Sequence, residues 1–228
     1  PMAKYENIRA LAKKQLQTVT ESSDRWKEFL RTAAIAYNYS FPNQLLIYAQ
    51  NPTATAVADM DYWNKNAGRR VKRGAHGTAV FDTRANSPRL RYLFDISDTI
   101  PIHEISEALP WAVTDQNWKP VWDKIIVDNH ADSIQSALLM ISTSYVAQRS
   151  AMFTTALEKA VDGSSLQWAK PNEQRRLFLQ IVTQSCLYMA ALRCGVDTAR
   201  LDLSALESVG QFNTNRICLL YTSDAADE

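Results

Sequence analysis

The chain has 228 residues, 46% of them hydrophobic and 21% charged, with 25 Lys and Arg against 24 Asp and Glu for a formal net charge of +1. That profile fits a soluble globular protein of one or two domains. Three cysteines (Cys186, Cys194, Cys218) and three histidines (His76, His103, His130) are too few and too scattered for a disulfide framework or a Cys/His zinc site, and no apolar run reaches the ~18–20 residues of a membrane span.

The first twenty residues read as a polar amphipathic helix without the apolar centre of a signal peptide, so a reducing cytoplasm is the expected location. Pro1 precedes Met2, which makes Met2 the expected start. At the other end CLLYTSDAADE, 218–228, resembles the in-frame translation of a transposase-type sequencing adapter found in assembled environmental reads. The expected reading frame is therefore truncated after Ile217, and the tail is set aside.

Apolar residues at helical spacing predict helices over 3–20 and 24–37, the second through Trp26, Phe29, Leu30, Ala33 and Tyr37, with Ser22, Ser23 and Asp24 as capping residues between them. A short helix through Leu45, Leu46, Tyr48 and Ala49 follows the break at Phe41-Pro42. Another, over 59–68, stops at Gly68, a left-handed cap. From Arg69 the period becomes two. RRVKRG, HGTAVFDT and PRLRYLFDI predict three strands of a small antiparallel sheet, which needs the preceding helices as its cover. Residues 100–115, with Pro101 and Pro110, are the expected linker to an all-helical segment over 116–217. The fold class is thus α+β: helices packed on a three-stranded sheet over 2–99, then helices alone.

Between Arg69 and Arg91 seven cations (Arg69, Arg70, Lys72, Arg73, Arg84, Arg89, Arg91) face one anion, Asp82, a local charge of +6 in a chain of +1. Crowded cations repel unless an anion neutralises them, and a phosphate backbone does so with release of counterions. Aromatic residues precede and interleave the basic strands, and unpaired bases stack on such rings. No Arg/Lys-rich helix suited to a major groove precedes them. Single-stranded nucleic acid is the expected ligand, with Arg69, Arg70, Lys72, Arg73, His76, Arg89 and Arg91 at phosphates and Tyr48, Trp63 and Tyr92 stacking. Core packing of the rings and a solvated edge strand are the competing reading.

The segment from YNYSFPNQLLIYAQNP to GRRVKRGAHGTAVFD, followed by LRYLFDISDT, resembles the N-terminal region of ArdC-like antirestriction proteins, as it opens large multidomain proteins of conjugative and integrative elements in Gram-positive bacteria. The resemblance covers roughly residues 20–99. It implies a single-stranded-DNA-binding module that protects an incoming mobile element. Asn43, Gln44 and Gln50 then join the basic strand and its glycine turn as binding residues. The metalloprotease-like domain of such proteins is missing, since HEISE, 103–107, has Glu107 where H-E-x-x-H needs a second histidine. No catalytic role, metal or cofactor is expected of this chain, and any catalytic domain of a parent protein would lie beyond residue 217. The alternative is a module docking an acidic protein surface, of a restriction enzyme or of downstream domains of the same polypeptide.

Smaller features have structural readings. GAHG, 74–77, is a turn needing positive φ. Trp111, Trp118 and Trp122 are spaced for one helix face in the back-half core, and Cys186 and Cys194 read as buried thiols.

Overall fold

The computed structural model describes residues 2–85, 87–102, 113–114 and 116–213. HEISE, Trp111, Cys218 and the 218–228 tail lie outside the described residues. The front of the chain forms four helices, α1 (Met2–Val19), α2 (Ser23–Ile35), α3 (Phe41–Gln50) and α4 (Met60–Lys65). Their ends follow local chemistry. Ser22 Oγ accepts from Arg25 N at the start of α2, and Asp59 Oδ1 accepts from Tyr62 N at the start of α4. Pro42 occupies the first turn of α3, where its missing N–H costs no bond. Gly68, just beyond α4, takes φ 59°.

Among the described residues there are five short strands, the first lying before α4: β1 (Val57–Ala58), β2 (Arg69–Val71), β3 (Thr78–Phe81), β4 (Leu90–Asp95) and β5 (Thr99–Pro101). The three-stranded antiparallel sheet exists, but its order is β1-β4-β3. The basic strand β2 is outside it and pairs with β5, Arg70 opposite Ile100. Both positions open to β2 in the larger sheet are occupied. β1 lines one edge of β4, and at the free edge of β3 two side-chain amides of α3 act as a substitute strand. Asn43 Nδ2 donates to Phe81 O at 3.0 Å while its Oδ1 accepts from Phe81 N at 2.8 Å, and Gln50 repeats the pattern at Ala79. The expected linker therefore begins inside the fold, because its residues Ile100 and Pro101 belong to β5.

The bend that separates the sheets is built on Asp95, whose side chain is only 4% exposed. One carboxylate oxygen accepts from Thr55 N and Ala56 N at 2.7 and 2.9 Å, and the other accepts from Ser97 N at 3.0 Å in the 3-10 turn Ile96–Asp98. Burial opposes that charge, but the hydrogen bonds from Ser97, Ala56 and Thr55 outweigh it and hold the carboxyl below the usual aspartate range. One face of the sheet, with Val80 and Leu93, packs on Leu46 and Ile47 of α3. The opposite face, with Ala58 and Phe94, packs on Trp63 of α4, whose Nε1–H donates to Phe94 O at 2.9 Å.

The back of the chain is helical as expected: α5 (Trp118–Asp128), α6 (Ile134–Gln148), α7 (Ser150–Val161) and α8 (Pro171–Arg193), then a 3-10 segment, Ser204–Gln211. Gly195 ends α8 at φ 65°. Trp122 packs against the α6/α8 core and donates to Cys194 O at 2.7 Å, while Trp118, edge-on to Trp122, is 41% exposed. This half is not a separate layer. Tyr188 of α8 is buried among Leu16, Phe29, Leu30 and Leu45, Arg31 Nε–H donates to its hydroxyl, and Trp26 Nε1–H donates to Ser185 Oγ. Among the described residues no helix is long and apolar enough to cross a membrane.

Candidate nucleic-acid interface

The expected cations divide into three groups. The first surrounds β2. Arg70, Lys72 and Arg73 are exposed, and together with Arg69 they make no ion pair with a carboxylate among the described residues. Arg69 is half-buried and donates through Nε to Thr99 Oγ1 at 2.7 Å, and Lys72 Nζ donates to Ser97 O at 2.7 Å. These are neutral acceptors that fix the side chains and leave their charge uncompensated. The chain then turns through Gly74 at φ +85°, with Arg73 and His76 exposed on either side.

The second group is already neutralised. Arg91 reaches Asp59 Oδ2 at 3.7 Å and places its guanidinium 5.3 Å from the Tyr39 ring centre, with its side chain mostly buried. Arg84 reaches the same oxygen at 3.8 Å and Asp82 at 3.6 Å. Asp59 thus caps α4 with one oxygen and holds two arginines with the other. Burial pushes the Tyr39 hydroxyl upward in pKa, against the pull of Arg91. Arg91 belongs to the packing between the sheet and Tyr39 and presents little to a ligand.

Arg89 is the third case: exposed and without an ion pair among the described residues, but just before β4, at the end remote from β5. The six residues of β4, about 20 Å of strand at ~3.3 Å each, lie along the chain between it and the segment that pairs with β2. The seven cations therefore do not share one platform.

Of the stacking candidates, Tyr92 is available. Its ring is 40% exposed, with Lys4 Nζ 5.0 Å from the ring centre. Gly77 brings the β2–β3 turn against it, so closely that a Cβ there would sit 2.9 Å from Tyr92 Cβ. Trp63, 1% exposed, is held in the core and offers no face to a base. Tyr48 is half-buried edge-on to Phe29, its hydroxyl donating to Glu28 at 2.9 Å. The amides are likewise committed to the fold. Asn43 and Gln50 seal the edge of β3, and Gln44 Nε2 donates to Ala36 O at 3.1 Å. They hold the element that carries the basic turn.

Three residues escape a reading of the sequence alone. Lys4 lies in a helix whose cations look like an ordinary solvated face, and only the fold brings it over Tyr92. Ile100 and Ile102, each 43% exposed, flank β2 from a stretch that reads as a linker. The assembled surface is a basic turn beside one open aromatic ring, suited to phosphate and a base plane. Among the described residues no group of three His, Cys, Asp or Glu side chains is placed to hold a metal. No family model matches the chain, and neither a curated protein nor a solved structure matches it.

Proposed function

We propose that the β2–β3 turn and the adjoining face of β4 bind single-stranded DNA, and that the chain is the non-catalytic N-terminal module of an ArdC-like antirestriction protein of a mobile element, acting in the bacterial cytoplasm. The observation that carries this reading is the set Arg70, Lys72 and Arg73, exposed and unmatched by carboxylates among the described residues, leading into a turn that runs at Gly77 against Tyr92, whose ring also meets Lys4. Arg69 and His76 flank it. In this reading Arg70, Lys72 and Arg73 hold phosphates, Tyr92 stacks a base through its exposed ring, and Arg89 meets only a strand that continues along β4.

The test is fluorescence anisotropy with a labelled oligonucleotide at several salt concentrations. Single-strand binding weakens log-linearly with salt at a slope near −0.7 per phosphate neutralised. Changing Arg70, Lys72 and Arg73 together to Ala lowers the slope magnitude by about two and weakens binding without altering the melting curve. Tyr92→Ala weakens binding by ~1–3 kcal/mol and leaves the slope unchanged. No binding at low salt, or equal binding to duplex, overturns the reading.

One observation favours a second reading, a docking site for an acidic protein such as a restriction enzyme or a downstream domain. Ile100 and Ile102 add exposed apolar surface next to Arg69 and Arg70. Under it, Ile100→Ser disrupts partner binding while oligonucleotides fail to bind at any salt concentration.

A further inference from the structure

Between the front helices and the back half lies a cavity of about 540 Å³, walled chiefly by α2, α3, α7 and α8, and its described lining residues include none of the basic turn. Aliphatic and aromatic side chains make up most of its lining, the rings including Trp26, Phe29, Phe41, Phe153, Phe178 and Phe212. The indole N–H of Trp26 is satisfied by Ser185 Oγ, so the inner wall makes little polar demand. Among the described residues its lining carries one charged side chain, Arg149, at the junction of α6 and α7. Its guanidinium lies 4.0 Å from the Tyr145 ring centre, is solvent-exposed, and makes no ion pair among the described residues. Beside the mouth, Tyr145 and Met152 continue the apolar surface outward, 43% and 48% exposed.

From this arrangement we infer that the cavity is a binding site for a single-chain anionic amphiphile, a carboxylate whose alkyl tail fills the ring-lined interior while its head pairs with Arg149. The volume falls within the span of about 300–1,000 Å³ that small-molecule sites occupy. Charge decides against a neutral lipid or an amine, because an unpaired guanidinium at an apolar mouth selects an anion by a charge-assisted, bidentate contact. Cys186 lines the same cavity and supplies a reporter.

The test is calorimetric titration of the full chain with dodecanoate below its micelle concentration, with dodecanol as the uncharged control. One-to-one binding of dodecanoate at least tenfold tighter than dodecanol, reduced to parity by Arg149→Gln, is the expected result. Saturating dodecanoate also slows alkylation of Cys186 in the unaltered protein severalfold, read by mass spectrometry of the Cys186 peptide, and Ala156→Trp, which fills the cavity, removes binding of both ligands. Equal affinity for acid and alcohol, binding that survives Ala156→Trp, or unchanged Cys186 alkylation at saturation overturns the inference. The alkylation result requires no variant to fold.

Discussion

Asp95 shows how one side chain can set the course of a chain. Its carboxylate gathers N–H groups from Thr55, Ala56 and Ser97, tying the entry of β1 to the exit of β4 and turning the strand away from the sheet. Asp95→Asn keeps the shape but turns an amide donor toward N–H groups that need an acceptor. The expected cost is about 2–3 kcal/mol at neutral pH, as for losing hydrogen bonds to a buried charge. The pH dependence follows from the direction of the shift. A carboxyl with a depressed folded pKa contributes stability that is fully present above the ordinary aspartate value of about 4 and is lost as pH falls through the lower folded value. Urea midpoints for the two proteins therefore differ by a constant amount above that value and converge in acid. A difference that persists undiminished at pH 2 contradicts this account.

At the scale of elements, α3 closes the edge of β3 without being a strand. Asn43, 1% exposed, is the stronger of its two amide contacts, because its own amide is buried and water has little access to take its place at Phe81, whereas Gln50 is exposed and water can replace it at Ala79. Asn43→Ala is expected to cost about 2–4 kcal/mol and Gln50→Ala, at an exposed position, about 1 kcal/mol or less. Denaturant midpoints check the order. Oligonucleotide binding by the folded fraction keeps the unaltered salt slope in both variants, which separates support of the sheet from contact with DNA. Helices and caps were legible in the sequence because their causes are local: Ser22, Pro42, Asp59 and Gly68 mark ends within a few residues of the periodic runs they bound. The pairing of β2 with β5 was not, since two three-residue strands about 30 positions apart carry no period long enough to read. For the same reason the basic run was visible and its neutralisation was not. Arg91 meets Asp59 from 32 positions away, and nothing local distinguishes that arginine from Arg70. Burial likewise divides Trp63 from Tyr92, two rings of similar appearance in the sequence.

Over the whole molecule, the sequence suggests a basic front module and a helical appendage, yet the packing makes one body. α8 supplies Tyr188, 2% exposed, to the cluster of Leu16, Phe29, Leu30 and Leu45, and Arg31 and Trp26 donate across the same boundary to Tyr188 and Ser185. Without the back half those front residues would face water, and α2, on which α1 and α3 lean, would lose the helix α8 that it packs against. Tyr188→Ala is accordingly expected to cost about 3–5 kcal/mol, the range for deleting a buried ring. The informative measurement is where that loss appears. Native-state hydrogen exchange resolves the ladder amides of β3, in a different core cluster from Tyr188. In a single cooperative unit their protection falls by the same free energy as the global stability. If the front module unfolds on its own, their protection is unchanged while amides of α8 lose theirs. Equal losses would mean that the basic turn draws its rigidity from the helical half, and that a fragment cut near residue 102 presents the basic residues on a chain that no longer holds them in place.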